Sequence, residues 1–156
     1  MIEQSVRIRL AKLADADSIA LLSRDCVEVG LSWRWRPQRV AKYIRDADTV
    51  VLVACTEFRV VAAAIMHFLK DDAHLLLLAV APPYRRRGTG RRLVEWLEKS
   101  ARVAGISTIH LEVRMGSSGS RAFYRALGYR DVQVLHGYYY GLESAMRMTH
   151  DLRVTT

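Results

Sequence analysis

The apolar run Leu75–Ala81 breaks at Pro82-Pro83 into Tyr84-Arg85-Arg86-Arg87-Gly88-Thr89-Gly90, and an amphipathic helix pattern begins at once. This strand–turn–helix passage constrains the chain more than any other feature. Glycines let backbone come close to a ligand, the first-turn N–H groups of a helix lack an intrahelical acceptor, and the helix dipole favours negative charge there. Three consecutive arginines add charge-assisted donors for phosphate oxygens. The turn therefore reads as an anion site. The blander reading, a solvated basic loop, gives no reason for glycine at 88 and 90.

Charge points the same way. The formal net charge of +8 calls for an anionic partner, and most of the basic residues are arginine, which suits bidentate phosphate contacts. The densest cluster, Arg85 to Arg92, sits on this turn rather than along a groove-sized patch, so a nucleotide-like ligand is expected and no nucleic acid. Nothing near 18 consecutive apolar residues occurs, and the start Met1-Ile2-Glu3-Gln4-Ser5-Val6-Arg7 lacks an apolar leader core. Cys26 and Cys55 have neither metal nor redox spacing. The expectation is a reduced, cytoplasmic protein without a membrane segment or a metal site, folded as one domain over residues 1–156, as a monomer or a homodimer.

Along the chain, residues 5 to 10 read as a strand with Val6, Ile8 and Leu10 on one face. Asp15 can cap a helix carrying Ile19, Leu22, Cys26 and Val29, and Pro37 starts a short helix to about Arg45. Thr49–Cys55 and Arg59–Phe68 read as strands, and Leu75–Ala81 as a strand buried on both faces. The helix opened by Gly88 carries Leu93, Val94, Leu97, Ala101 and Ala104, stops at Gly105, and sets Glu95/Lys99 and Glu98/Arg102 on its solvent side. Ser107–Val113 is a strand. Ser117 or Ser118 can cap a short helix holding Ala122, Phe123, Ala126 and Leu127, and strands at about 129–135 and 142–152 close the chain. Helices interleaved with apolar strands mean an α/β fold around a mixed sheet.

Four further groups carry chemistry. On the Ser107–Val113 strand, Ile109, Leu111 and Val113 face one way and Thr108, His110 and Glu112 the other. A carboxylate at 112 is costly unless it lines a wet cleft or the face is simply exposed. His110 reads as a satisfied structural histidine, and His74, at the start of its strand, as either structural or functional. Tyr124, one residue past Phe123, is either packing or a candidate acid. Trp33-Arg34-Trp35-Arg36 and Tyr138-Tyr139-Tyr140 read as packing, as a base-stacking surface, or as walls of a substrate cleft.

The order strand, Arg85-x-x-Gly88-x-Gly90, helix, strand Leu111-Glu112-Val113-Arg114, then Ala122-Phe123-Tyr124-x-x-Leu127-Gly128-Tyr129 resembles the GNAT N-acetyltransferase family. Within it the likeness is greatest to bacterial ribosomal-protein alanine N-acetyltransferases and related protein N-terminal acetyltransferases. The motifs span residues 75 to 130, and Tyr139-Tyr140…Glu143-Ser144-Ala145…Met148 also fits. The resemblance implies a mixed, mostly antiparallel sheet of about seven strands, two parallel strands splayed at its centre, and helices on both faces.

It also implies acetyl-CoA as cofactor. The pyrophosphate would lie on the N–H groups of the segment Arg86, Arg87, Gly88, Thr89, Gly90 and Arg91, with Arg85 opening the signature, and the pantetheine beside Leu78, Ala79 and Val80. Ser117 stands where the family usually has a cofactor-contacting Asn, which predicts a weaker contact. The resemblance makes Tyr124 the acid for the leaving thiolate and Glu112, through water, the general base, with His74 or water alone as the alternatives, and it puts His74 beside the acceptor. Tyr138 and Tyr139 would flank the acceptor. A protein N-terminal α-amine is the expected acceptor. The alternatives are a small amine (an amino acid, a polyamine or an antibiotic), or a non-catalytic acyl-CoA-binding sensor.

Overall fold

The computed structural model describes residues 5–153. Part of the polar start, residues 1–4, and residues 154–156 lie outside the described residues. Seven strands form one sheet: β1 (Arg7–Leu10), β2 (Thr49–Cys55), β3 (Val60–Phe68), β4 (Asp72–Val80), β5 (Thr108–Arg114), β6 (Arg130–Tyr139) and β7 (Glu143–Asp151). Their order is β1-β2-β3-β4-β5-β7-β6. Only β4 and β5 pair in parallel; every other pair is antiparallel. The expected mixed sheet and the strand at Thr49–Cys55 are both present. Among the described residues no helix is long and apolar enough to cross a membrane.

Helices α1 (Ala16–Cys26) and α2 (Pro37–Arg45) cover one face, and α3 (Thr89–Val103) and α4 (Ser118–Ala126) the other. The inward stripe of α1 is Ala16, Ile19, Ala20 and Ser23, a quarter-turn from the expected one, and Val29 lies exposed beyond the helix. Asp15 precedes α1 but makes no side-chain cap. Its carboxylate instead accepts from the Lys12 N–H at 2.7 Å and from Arg9 at 2.8 Å. Pro37 sits in the first turn of α2, where its missing N–H costs nothing.

Leu93, Val94, Leu97 and Ala101 of α3 are buried against the sheet, as the spacing predicts. Glu98 is also buried there, which corrects the solvent-side reading. Its Oε2 accepts from the Tyr129 hydroxyl at 3.0 Å and lies 2.9 Å from His150 Nδ1. Those partners satisfy a carboxylate that could not otherwise leave water. In α4 the alanines at 122 and 126 face solvent, and Tyr124 rather than Phe123 is the buried ring. In β1, Ile8 is partly buried and Leu10 exposed.

The expectation of a β4 buried on both faces is also corrected. Its burial alternates, with Leu75, Leu77 and Ala79 covered and Leu76, Leu78 and Val80 half-exposed. The register to β3 slips between Ile65 and Met66, leaving Leu76 as an extra residue. Such a bulge bends its strand and exchanges its faces. Accordingly Ala73 and Leu75 pack into the core under α3, whereas Leu77 packs into the core under α1 and α2.

Candidate active site

The parallel ladder between β4 and β5 is three residues long: Asp72↔Thr108, Ala73↔Ile109 and His74↔His110. Beyond it the strands diverge, while β3 follows β4 to Val80 and β7 follows β5 to Arg114. The gap opens into a cleft of about 940 Å³, walled by the exposed half of β4, the far end of β5, the α1–α2 loop, the turn before α3, and α4. The Ala81 N–H bonds to the Val61 carbonyl on β3, so the Val80 carbonyl points away from β3, towards the gap. In an extended strand the N–H and C=O of one residue point the same way, so the Val80 N–H faces the gap too.

The turn after β4 brings most of the predicted anion-site residues to the cleft wall. A short 3-10 turn at Pro82–Tyr84 reverses the chain. Arg86 (φ 61°) and Gly88 (φ 81°) then adopt the left-handed conformation that aims the start of α3. The first-turn N–H groups at Thr89, Gly90 and Arg91 have no acceptor within the helix. Gly90 is a close-packing point: a Cβ there would lie 3.3 Å from Phe123 Cζ and 3.6 Å from Val80 Cγ2.

Arg85, Arg86, Gly88, Gly90 and Arg91 line the cleft, but Arg87 and Thr89 do not. The Arg87 guanidinium lies 5.7 Å from the Tyr84 ring centroid, and Thr89 is buried. Arg85 Nε donates to the Val80 carbonyl at 2.9 Å. Across the gap, Ser117 lines the cleft and its hydroxyl donates to Ser120 Oγ at 2.7 Å. Cys26 lines it as well; burial pushes its thiol up, with Arg85 pulling the other way, so it is a poor thiolate source.

Glu112 is the chemical centre. It projects from β5 on the α1/α2 face, and its side chain is only 5% exposed. His74 Nε2 is 2.6 Å from Oε1, the Tyr138 hydroxyl donates to the same oxygen at 3.3 Å, and Arg147 Nε donates to Oε2 at 3.0 Å. Burial by itself would raise the Glu112 carboxyl. The hydrogen bonds and charges of His74 and Arg147 outweigh it and hold the pKa at about 2. His74 and His110, register partners on β4 and β5, stack with centroids 4.5 Å apart.

His110 also meets Asp72 at 3.2 Å, as a structural histidine would, and burial depresses its pKa, helped by His74. His74, His110 and Glu112 hold their ligand atoms within 4.8 Å of one another, a spacing open to a metal ion. Arg147 and Tyr138 already occupy the Glu112 carboxylate, and an ion would have to compete with that bound cation.

Tyr124 belongs to the other face. Its ring is buried in the core under α3, edge-on to Tyr129 at 5.6 Å, and burial pushes its hydroxyl well above the usual range. Tyr138, Tyr139 and Tyr140 close the end of the β6–β7 hairpin and line the cleft mouth. Burial raises the hydroxyls of Tyr138 and Tyr139, with Glu112 contributing.

Sequence reasoning missed several residues. Arg147 is the β7 register partner of Glu112, and only the sheet order brings the two together. Glu28 is buried and accepts from Ser23 Oγ, the Arg34 N–H and the Trp35 N–H, which fixes the α1–α2 loop beside the cleft. Arg114 donates to Glu143 and to the carbonyls of Val27 and Val29, tying that loop to the far end of β5.

The profile of the Acetyltransferase (GNAT) family matches residues 15–129. The [ribosomal protein bS18]-alanine N-acetyltransferase of Salmonella typhimurium is 37% identical over 81 residues, which are 52% of this chain and 55% of that protein. The match thus spans about half the length of that relative. An N-alpha-acetyltransferase of Sulfurisphaera tokodaii is 27% identical over 94% of this chain and 93% of its own. The crystal structure of the ribosomal-protein-S18-alanine N-acetyltransferase from Escherichia coli superposes with a TM-score of 0.83 at 24% identity, covering 97% of each chain.

Proposed function

The chain belongs to the acetyltransferase (GNAT) family, and from that premise we propose that it transfers an acetyl group from acetyl-CoA directly to the α-amine of a protein N-terminus. One observation carries the reading. The β4–β5 gap stands between an ionised carboxylate on one face of the sheet and a buried, protonated phenol on the other, with the start of α3 and its unpaired first-turn N–H groups at its rim. Relatives named for N-terminal acetylation favour the acceptor. Acceptors of that kind would put the reaction in the cytoplasm.

In this assignment the first-turn N–H groups of α3, with Arg86 and Arg91, hold the pyrophosphate. The gap-facing N–H and C=O of Val80 pair with the pantetheine, as do those of Leu78, two residues earlier on the strand. Arg85 gives up the Val80 carbonyl when that pairing forms. Ser117 lies at the opposite wall. Bound acetyl-CoA supplies the thioester carbonyl for attack and a thiolate leaving group. The Val80 N–H donates to the carbonyl oxygen as charge develops there.

A carboxyl held at about 2 is a weak proton acceptor for an ammonium whose reference pKa is near 7.7–8.0. We therefore assign the proton to the Glu112–His74 pair. Glu112 stays ionised, attracts the ammonium and orients the imidazole, and His74 takes the proton, directly or through water. Tyr124 returns a proton to the sulfur. Tyr138 and Tyr139 flank the acceptor. The test is thiol release from acetyl-CoA with N-terminal peptides, free amino acids, polyamines and aminoglycosides. Turnover confined to the small amines would replace the acceptor reading, and tight binding with no turnover would mean a sensor.

A further inference from the structure

The acceptor side of the cleft has an uneven charge distribution. Its acidic groups are almost all used internally: Glu28 by one hydroxyl and two backbone N–H groups, and Glu143 by Arg114 and the Gly116 N–H. Glu112 is paired as well, with His74, Tyr138 and Arg147, and its charge is the one that the proposed mechanism offers to an ammonium. Two arginines line the same side with no carboxylate in ion-pair range among the described residues, Arg34 and Arg39. Arg34 lies 5.4 Å from the Tyr140 ring centroid, and Arg39 4.4 Å from that of Trp35. Each guanidinium carbon lies over an aromatic ring within cation–π range, a contact that does not consume N–H donors. The Arg39 Nε is buried and has no hydrogen-bond partner, so this arginine is incompletely satisfied by the described residues.

Arg34 also sits near the amine end of the site. Burial and Glu112 push the Tyr138 hydroxyl up, and the charge of Arg34 partly offsets them. An extended peptide advances roughly 3.3–3.6 Å per residue, so the first few residues of an acceptor whose amine lies at Glu112 occupy the cleft that Arg34 and Arg39 line.

From this arrangement we infer that the acceptor carries a carboxylate one or two residues after its α-amine, and that Arg34 and Arg39 select it. The inference rests on the N-terminal acceptor reading above and narrows it to acidic N-termini, Asp or Glu at the second or third position. The α-carboxylate of a free dipeptide presents the same chemistry.

The experiment measures kcat/KM with acetyl-CoA for C-terminally amidated peptides that share a first residue and differ only in Asp, Ala or Lys at position two. A free Ala-Ala dipeptide forms a further arm. Selection by the arginines predicts the order Asp, Ala, Lys, with a gap of about tenfold or more between the ends, carried by KM and shrinking with salt. Arg34→Glu should reverse that order, and Arg39→Gln should flatten it. Calorimetric binding of acetyl-CoA checks that each variant is folded. A free dipeptide that outperforms the acidic amide would identify the α-carboxylate as the selected group. Equal turnover of all three amides, or preference for Lys, overturns the inference and leaves N-terminal acetylation standing. Turnover of none of the peptides overturns both.

Discussion

His74 Nε2 and Glu112 Oε1 lie 2.6 Å apart across two strands that stop pairing at His74 itself. The last parallel pair of the sheet and the pair proposed to handle the amine proton therefore share a residue. Glu112→Gln keeps the shape and removes the charge that, in the proposed mechanism, draws in the ammonium and orients the imidazole. We expect kcat/KM for a peptide acceptor to fall by about 10²-fold or more, the usual range for a displaced acid–base group, with acetyl-CoA affinity unchanged by calorimetry. His74→Gln should match it within a factor of a few, because the two act as a unit.

The same carboxyl makes a prediction about acid stability. Its pKa in the fold is about 2, below the 4.5 of an unperturbed glutamate, so its contribution is complete above about pH 4.5 and is lost as pH falls towards 2. Wild-type Tm should decline more steeply than that of Glu112→Gln over this window. Parallel curves from pH 6 to 2 would contradict the depressed pKa.

Tyr124 is held protonated by burial. Tyr124→Phe should lower kcat about 10²-fold with little change in either KM. Since its hydroxyl titrates above the usual range, wild-type kcat should show no descending limb from this group up to pH 10. A limb near pH 9 that disappears in the Phe variant would refute the assignment.

Gly88 and Gly90 are expected to act differently. Gly88 has φ 81° and open space around its Cα, so Gly88→Ala costs backbone energy, about 1–2 kcal/mol, rather than a clash. At Gly90 the obstacle is the Phe123 ring at 3.3 Å, and Gly90→Val should push α3 and α4 apart where the diphosphate would bind. Calorimetry should find acetyl-CoA affinity reduced at least tenfold in Gly90→Val. In Gly88→Ala, stability should fall more than affinity.

Glu98 lies behind Tyr124, linked to it through Tyr129. Glu98→Ala leaves the Tyr129 hydroxyl and His150 without their acceptor in the core. Chemical denaturation should report a loss of about 2–4 kcal/mol. Glu98→Gln, which retains an acceptor, should cost less.

Much of the framework could be read from the chain because it is written in local patterns. The bounds of β2, the proline start of α2 and the glycine-rich turn before α3 each depend on residues within one or two turns of one another. The bonds that reach across the sheet could not be read that way. Glu98 has Arg102 four residues on, which suggests a surface pair, whereas its partners are Tyr129 and His150. Arg147 meets Glu112 only because β7 inserts between β5 and β6. The run Leu75–Ala81 is apolar throughout because its covered residues enter the core on one face before the bulge and on the other after it, while the rest wall a cleft. Composition does not separate that case from full burial, and nothing in it marks Leu76 as the bulge.

The opposed placement of Glu112 and Tyr124 also has a vectorial consequence. If the amine gives up its proton beside α1 and α2 and the sulfur receives one beside α3 and α4, each cycle releases a proton on one face of the sheet and draws one from the other. Amine and thiol are then served by separate relays within one cleft, so damage to either face should stall one transfer without disarming the other.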